Sequence, residues 1–146
     1  MSALRISTGQ SELDVGMILG FLGADSYWAK GMSRALLDRA LAHSLCFGGY
    51  LGAQQVAFAR VVTDRATFAH LKDVFVLPAF RDRGFGVAIM AAVMAHPDLQ
   101  TAAFTLGTLD AHALSVRFGF TAQPEPHRAM VRPGAFLNPD GNSNSG

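Results

Sequence analysis

The sequence predicts an α+β domain, one mixed and mostly antiparallel sheet flanked by about four helices. Three observations carry this reading. Apolar, β-branched or aromatic runs follow one another at Leu45–Leu51, Gln54–Thr63 and Thr67–Leu77, separated only by Gly52-Ala53 and Asp64-Arg65-Ala66. Breaks that short imply consecutive antiparallel strands. Helix-spaced apolar residues lie on both sides of this block, so strands and helices share one core. At 146 residues and 50% hydrophobic content, the chain suits a single domain able to bury that core.

Taken in order, Ala3 to Thr8 alternates around Leu4 and Ile6 and suits a first strand. Ser11 is positioned to cap a helix through Val15, Ile18, Leu19 and Leu22. Ser33 is a second N-cap candidate, followed by Ala35, Leu36, Leu37, Ala40 and Leu41 with Arg34, Asp38 and Arg39 between them. After the three central strands come Pro78 and a glycine-bearing loop. Val87 to Ala95 then reads as an apolar helix stopped by His96-Pro97-Asp98, because proline cannot continue it. Ala102 to Leu106 reads as a strand, and Asp110 can cap a fourth helix running to Phe118, with Gly119 as its stop. Arg128 to Arg132 closes the pattern as a short strand. The expected domain spans residues 1–132. From Pro133 the composition breaks helix and strand alike, so 133–146 is expected to be a flexible tail.

Twelve Lys and Arg against eleven Asp and Glu leave a formal charge of +1, so no overall field draws in a polyanion. Any anion site must be local. Basic residues are not interleaved with aromatics in any run, which argues against a nucleic-acid surface. The longest apolar stretch, Gly86 to Ala95, is about half of the ~20 residues needed to span a membrane. The N-terminus lacks the charged and apolar segments of a secretory signal, and the single Cys46 cannot form an internal disulfide. These features imply a cytoplasmic protein with neither a membrane nor a nucleic-acid partner. Five scattered histidines and no Cys-x-x-Cys or His-Glu-x-x-His spacing imply no metal site.

The most informative stretch is Asp73-Val74-Phe75-Val76-Leu77-Pro78-Ala79-Phe80-Arg81-Asp82-Arg83-Gly84-Phe85-Gly86, a strand leading through proline into a glycine-rich turn and then a helix. A helix start exposes unpaired N–H groups at the positive end of its dipole, which stabilises an anion there. Gly84 and Gly86 remove side chains that would keep a phosphate away, and Arg81 and Arg83 can add charge-assisted hydrogen bonds. A dinucleotide fingerprint would need glycine or alanine where the chain has Ile89, and the Gly-Lys-Ser/Thr of a P-loop is absent.

This stretch resembles the signature R/Q-x-x-G-x-G/A of the GNAT superfamily of N-acetyltransferases, which follows a strand ending V-x-P; Arg81, Gly84 and Gly86 stand in the defining places. The resemblance extends from about Tyr27 to Phe120 through Ser44-Leu45-Cys46-Phe47-Gly48, Phe58 to Asp64, Thr108-x-Asp110-Ala111-His112 and Phe118-Gly119-Phe120, and is similar to a bacterial subgroup. It implies the GNAT-like fold and acetyl-CoA as cosubstrate, with an acetyl group passing directly to an amine of a small molecule or a protein. It further implies that Val74, Phe75 and Val76 run beside the pantetheine arm, and that Arg81, Asp82, Arg83, Gly84, Phe85 and Gly86 hold the pyrophosphate. Thr108 stands where many members carry an asparagine near the pantetheine. Asp82 replaces a usual glycine. Tyr27 and Trp28 fall where members build the acceptor pocket, and a homodimer is compatible with the family.

Transfer to an amine needs a base, because an aliphatic amine near pKa 10.4 is almost wholly protonated at neutral pH. His70 has a suitable unperturbed pKa, and Asp73 is the carboxylate nearest the cofactor strand. On an unbroken strand the two face opposite sides, and a bulge would change that parity. Ser115 occupies the place of the family's proton-donating tyrosine in Leu114-Ser115-Val116-Arg117-Phe118-Gly119-Phe120. A serine hydroxyl is a far weaker acid than a phenol and would act through water. Two functions therefore stay open: an N-acetyltransferase, and an acyl-CoA-binding or protein-interaction module that has lost its general acid.

Overall fold

The structure, a computed structural model, describes residues 3–25, 31–107 and 116–134. Five strands form one sheet in the order β1-β2-β3-β4-β5. They are β1 (Arg5–Ser7), β2 (Leu45–Leu51), β3 (Gln54–Thr63), β4 (Phe68–Val76) and β5 (Ala103–Leu106). The first four pair antiparallel, and β5 joins β4 parallel. Parallel pairing requires a crossover, and α3 (Phe85–Ala95) supplies it. Helices α1 (Val15–Asp25) and α2 (Arg34–Ala42) connect β1 to β2.

The sheet has a core on each face. On one, α3 places Ile89, Met90 and Val93 against Leu45, Phe47, Ala57, Ala59, Val61, Ala69 and Leu71. On the other, Ile18 and Leu22 of α1 and Leu37 and Leu41 of α2 cover Cys46, Phe58 and Phe75. Strands buried on both faces read as continuous apolar runs, which is why β2 and β3 show little alternation. Fully burying one such side chain contributes about 1.5–3 kcal/mol, so these two layers hold the domain together.

Local signals explain most boundaries. Ser33 Oγ accepts from the Leu36 N–H at 3.1 Å and caps α2 as expected. The cap of α1 is Asp14, not Ser11: Asp14 Oδ1 accepts from Met17 N–H at 3.1 Å, and Ser11 sits in a 3₁₀ turn, Gln10–Glu12. Asp14 is held there because its own N–H donates to Gln55 Oε1 at 2.8 Å, a partner 41 residues away. Helix α3 ends at Ala95, and His96 Nδ1 accepts the Asp98 N–H at 3.1 Å to start the next turn.

One expected strand is not formed. Residues 129–134 carry no regular structure, and Met130 and Val131 are 93% and 88% exposed. β-Branched and apolar composition favours a strand only where a neighbouring edge can pair with it, and none receives this segment among the described residues. The expected helix from Asp110 to Phe118 lies mostly outside the described residues. Its stop is visible: Gly119 has φ 90°, and its N–H bonds Val116 O at 3.0 Å.

Gly48 in β2 has a steric purpose. The Tyr50 ring folds over it, so a Cβ at Gly48 would lie 2.7 Å from Tyr50 Cε2 and Cζ. Tyr50 is buried, and a methyl placed there must displace its ring. Gly48→Ala is expected to lower stability by about 1–3 kcal/mol, measured by urea denaturation. Adding Tyr50→Ala should relieve most of the clash, giving a double-mutant coupling well above that of distant sites.

Candidate active site

The site is built by three features of β4 and its surroundings: a bulge, a fork between strands, and a helix start. Strand register shows the bulge directly. Phe58 pairs Phe75 and Arg60 pairs Lys72, so two steps along β3 match three along β4. The extra residue is accommodated at Asp73, whose φ is 56°. Asp is among the few residues that tolerate this left-handed conformation. Side-chain parity flips across it: Leu71 packs against α3, whereas Phe75, four residues on, packs against α1 and α2. Val76 accordingly joins the α3 side, and Val74, 37% exposed, alternates with Phe75 onto that same side.

The fork follows from the pairing of β5. It meets β4 only over Phe68–Leu71, opposite Ala103–Leu106. Beyond Leu71, β4 continues to Val76 with β3 on one side and no described strand on the other. Apart from Val76 O, which accepts from Arg81 Nε, the edge groups that no described strand pairs are available to an extended ligand.

The edge leads into the glycine-rich turn. A 3₁₀ turn, Pro78–Phe80, is followed by Arg81, Asp82 with φ 63° and Gly84 with φ 80°, after which α3 begins. The Ala88 N–H closes the first helical turn on Gly84 O at 3.0 Å, so the N–H groups of Phe85, Gly86 and Val87 precede the intrahelical ladder. A Cβ at Gly84 would meet nothing within 4 Å, leaving the approach to those groups open. Arg81 Nε donates to Val76 O at 3.0 Å, tying the turn to the end of β4. The Arg83 guanidinium lies 5.3 Å from the Phe80 ring centroid.

On the α1/α2 side of the bulge is a polar cluster. Arg60 Nε donates to Asp73 Oδ2 at 2.8 Å, and the two side chains are only 9% and 1% exposed. Arg60 also donates to Ser44 Oγ at 3.1 Å, and Ser44 Oγ donates to Ala40 O at 2.6 Å. The bulge brings Asp73 into the electrostatic environment of His70, which an unbroken strand would have opposed. Burial pushes the Asp73 carboxyl above its ordinary value, outweighing the pull of Arg60. Asp73 Oδ1 is buried, with no hydrogen-bond partner among the described residues. Burial lowers the pKa of His70, and the nearby charges of Lys72 and Arg60 lower it further against the opposing effect of Asp73. Lys72 is lowered by burial as well. His70 Nδ1 lies 2.7 Å from Thr105 Oγ1 on β5. Cys46, across the strand pair from Arg60, is pushed up to about 11 by burial and is a packing residue rather than a nucleophile.

Of the residues singled out in the sequence, Val74, Phe75, Val76 and Arg81 to Gly86 therefore follow one another along the strand edge and turn, and His70 and Asp73 share one side of the bulge. Tyr27, Trp28, Thr108 and Ser115 lie outside the described residues. Sequence reasoning missed Arg60 and Thr105. An arginine inside the apolar run Gln54–Thr63 was the available signal for the first, because a charge in a buried strand needs a partner. Among the described residues, no three His, Cys, Asp or Glu side chains converge as a metal site, and no helix is long and apolar enough to cross a membrane.

Comparison with known proteins agrees with this architecture. The family described as "Acetyltransferase (GNAT) domain" matches residues 42–122. A crystallised protein of Xanthomonas campestris pv. campestris, provisionally described as an acetyltransferase of the GNAT family, is 52% identical, with 93% of this chain and 98% of that one covered and a TM-score of 0.88. A GNAT family acetyltransferase from Elizabethkingia anophelis with acetyl-CoA bound shares the fold at 16% identity and TM-score 0.56, covering 79% of this chain and 71% of that one. A provisional acetyltransferase of Gibberella zeae is 31% identical over 100 residues, 56% of each chain, so the match spans little more than half the length of that relative. A bulged strand, a fork against a parallel neighbour and an arginine-glycine turn opening a helix thus occur together in a chain whose sequence matches one family over most of its sheet: this protein belongs to the GNAT acetyltransferase family.

Proposed function

We propose that the protein is an N-acetyltransferase that moves an acetyl group from acetyl-CoA to a primary amine by direct transfer. The observation that carries this is the continuous path from the open β4 edge at Val74 and Val76 to the Arg81–Gly86 turn. An extended arm fits the former and a diphosphate the latter. The open space at Gly84 and the free first-turn N–H groups of α3 match the chemistry of a pyrophosphate. The acetyl-CoA seen in the Elizabethkingia anophelis relative supports the choice of cosubstrate.

For the proton, His70 is the better base. Its depressed pKa keeps the ring neutral near pH 7, whereas the Asp73 carboxylate is engaged by Arg60 and shielded from solvent. His70 takes a proton from the attacking amine as the new C–N bond forms; the C–S bond breaks, and the CoA thiolate is protonated from solvent, with Ser115 orienting a water. Products are an amide and free CoA. Near-attack positioning supplies much of the rate.

Ser115, in place of a phenol, favours a second reading: a module that binds acyl-CoA without turnover. Thermal melting with acetyl-CoA, combined with thiol release across a panel of small amines and peptides, separates the two. The transferase reading expects both a raised Tm and amine-dependent CoA release. A raised Tm with no release on any amine supports the module, and no shift with either acetyl-CoA or CoA overturns both.

A further inference from the structure

We propose that Thr105 is a positioning residue that holds His70 in the Nδ1–H tautomer, leaving Nε2 as the proton acceptor. This inference rests on the transferase reading above, in which His70 is the base. Thr105 and His70 are register partners across the parallel β4–β5 pair, one step before the two strands part. Phe104 and Leu106 pack toward α3, so Thr105 points to the opposite face, as His70 does between Ala69 and Leu71. Their side chains meet at 2.7 Å.

Among the described residues, the Thr105 hydroxyl is the neutral group that meets that nitrogen. The charged groups felt by the ring are Lys72 on its own strand, Arg60 from β3 and Asp73 at the bulge, and the β3 residue directly opposite is the apolar Val62. With Nδ1–H donating to Oγ1, the lone pair needed for catalysis is on Nε2, and the ring cannot turn without losing the bond. The bridge also ties β5 to β4 one residue before the fork.

The test uses Thr105→Val, which is isosteric without the acceptor, and Thr105→Ser, which keeps it. Nitrogen-15 NMR of the imidazole reads the tautomer independently of turnover. Wild type and Thr105→Ser should show neutral His70 protonated on Nδ1; Thr105→Val should show a mixture. In the amine assay, Thr105→Val should lower kcat roughly tenfold or more with little change in KM for acetyl-CoA, and Thr105→Ser should restore most of it. The acid limb of kcat/KM in wild type should fall below the ordinary histidine value and move in Thr105→Val, since an acceptor on Nδ1–H favours the charged ring. Wild-type His70 protonated on Nε2, or an unchanged kcat in Thr105→Val, overturns the proposal. Failure of wild-type protein to bind acetyl-CoA instead overturns the transferase reading, and the nitrogen spectra still report on the Thr105 bond.

Discussion

Asp73→Ala is expected to lower the unfolding free energy by about 3–5 kcal/mol, the largest effect of any single change near the bulge. The reason is the charge it leaves behind. Arg60 is 9% exposed, and its Nε is held by Asp73 Oδ2 at 2.8 Å; without the carboxylate, a guanidinium stays buried with Ser44 Oγ as its hydrogen-bond acceptor among the described residues. Part of the loss comes from the backbone. At φ 56°, alanine is strained where aspartate is tolerated, so Asp73→Asn, which accepts that conformation, isolates the charge effect. Guanidinium unfolding of wild type, Asp73→Asn and Asp73→Ala should rank them in that order. A loss under about 1 kcal/mol in Asp73→Ala would show that water or backbone shifts satisfy Arg60 at little cost, and that the buried Arg60–Asp73 pair does not hold the bulge in place.

Arg81→Ala is expected to weaken CoA binding roughly 10- to 100-fold while leaving Tm without ligand nearly unchanged. Its Nε anchors to Val76 O, which leaves the other guanidinium N–H groups for a phosphate oxygen, and a charge-assisted bond of that kind contributes about 1.5–3 kcal/mol. Gly84→Val should do similar damage for a different reason: φ 80° is prohibitive for a β-branched residue, and the side chain fills the open space in front of the α3 amides. Asp82 supplies a test of opposite sign. Replacing it with glycine removes a negative charge beside the anion site and relieves φ 63°, so Asp82→Gly should bind CoA several-fold more tightly. Calorimetric titration with CoA, at two salt concentrations, reads all three. If the three variants bind alike, the diphosphate does not sit at this turn.

By itself the sequence determined the elements whose cause is local. The Arg-x-x-Gly-x-Gly turn, the Ser33 cap and the stop at Pro97 depend on residues within a few positions of one another, and the central strands on composition and short breaks, so all were legible. What depends on partners distant in the chain was not. The cap of α1 fell to Asp14 because Gln55 fixes its backbone, and residues 128–132 found no edge to pair with despite their composition. The parity of His70 and Asp73 turned on one extra residue between Leu71 and Phe75, which alternation cannot reveal. Only the folded sheet pairs Arg60 with Asp73 and His70 with Thr105, contacts spanning 13 and 35 residues. The physical reason is that propensity acts through a residue's own backbone, whereas a buried charge or a ring nitrogen is satisfied by whichever group the tertiary packing delivers to it.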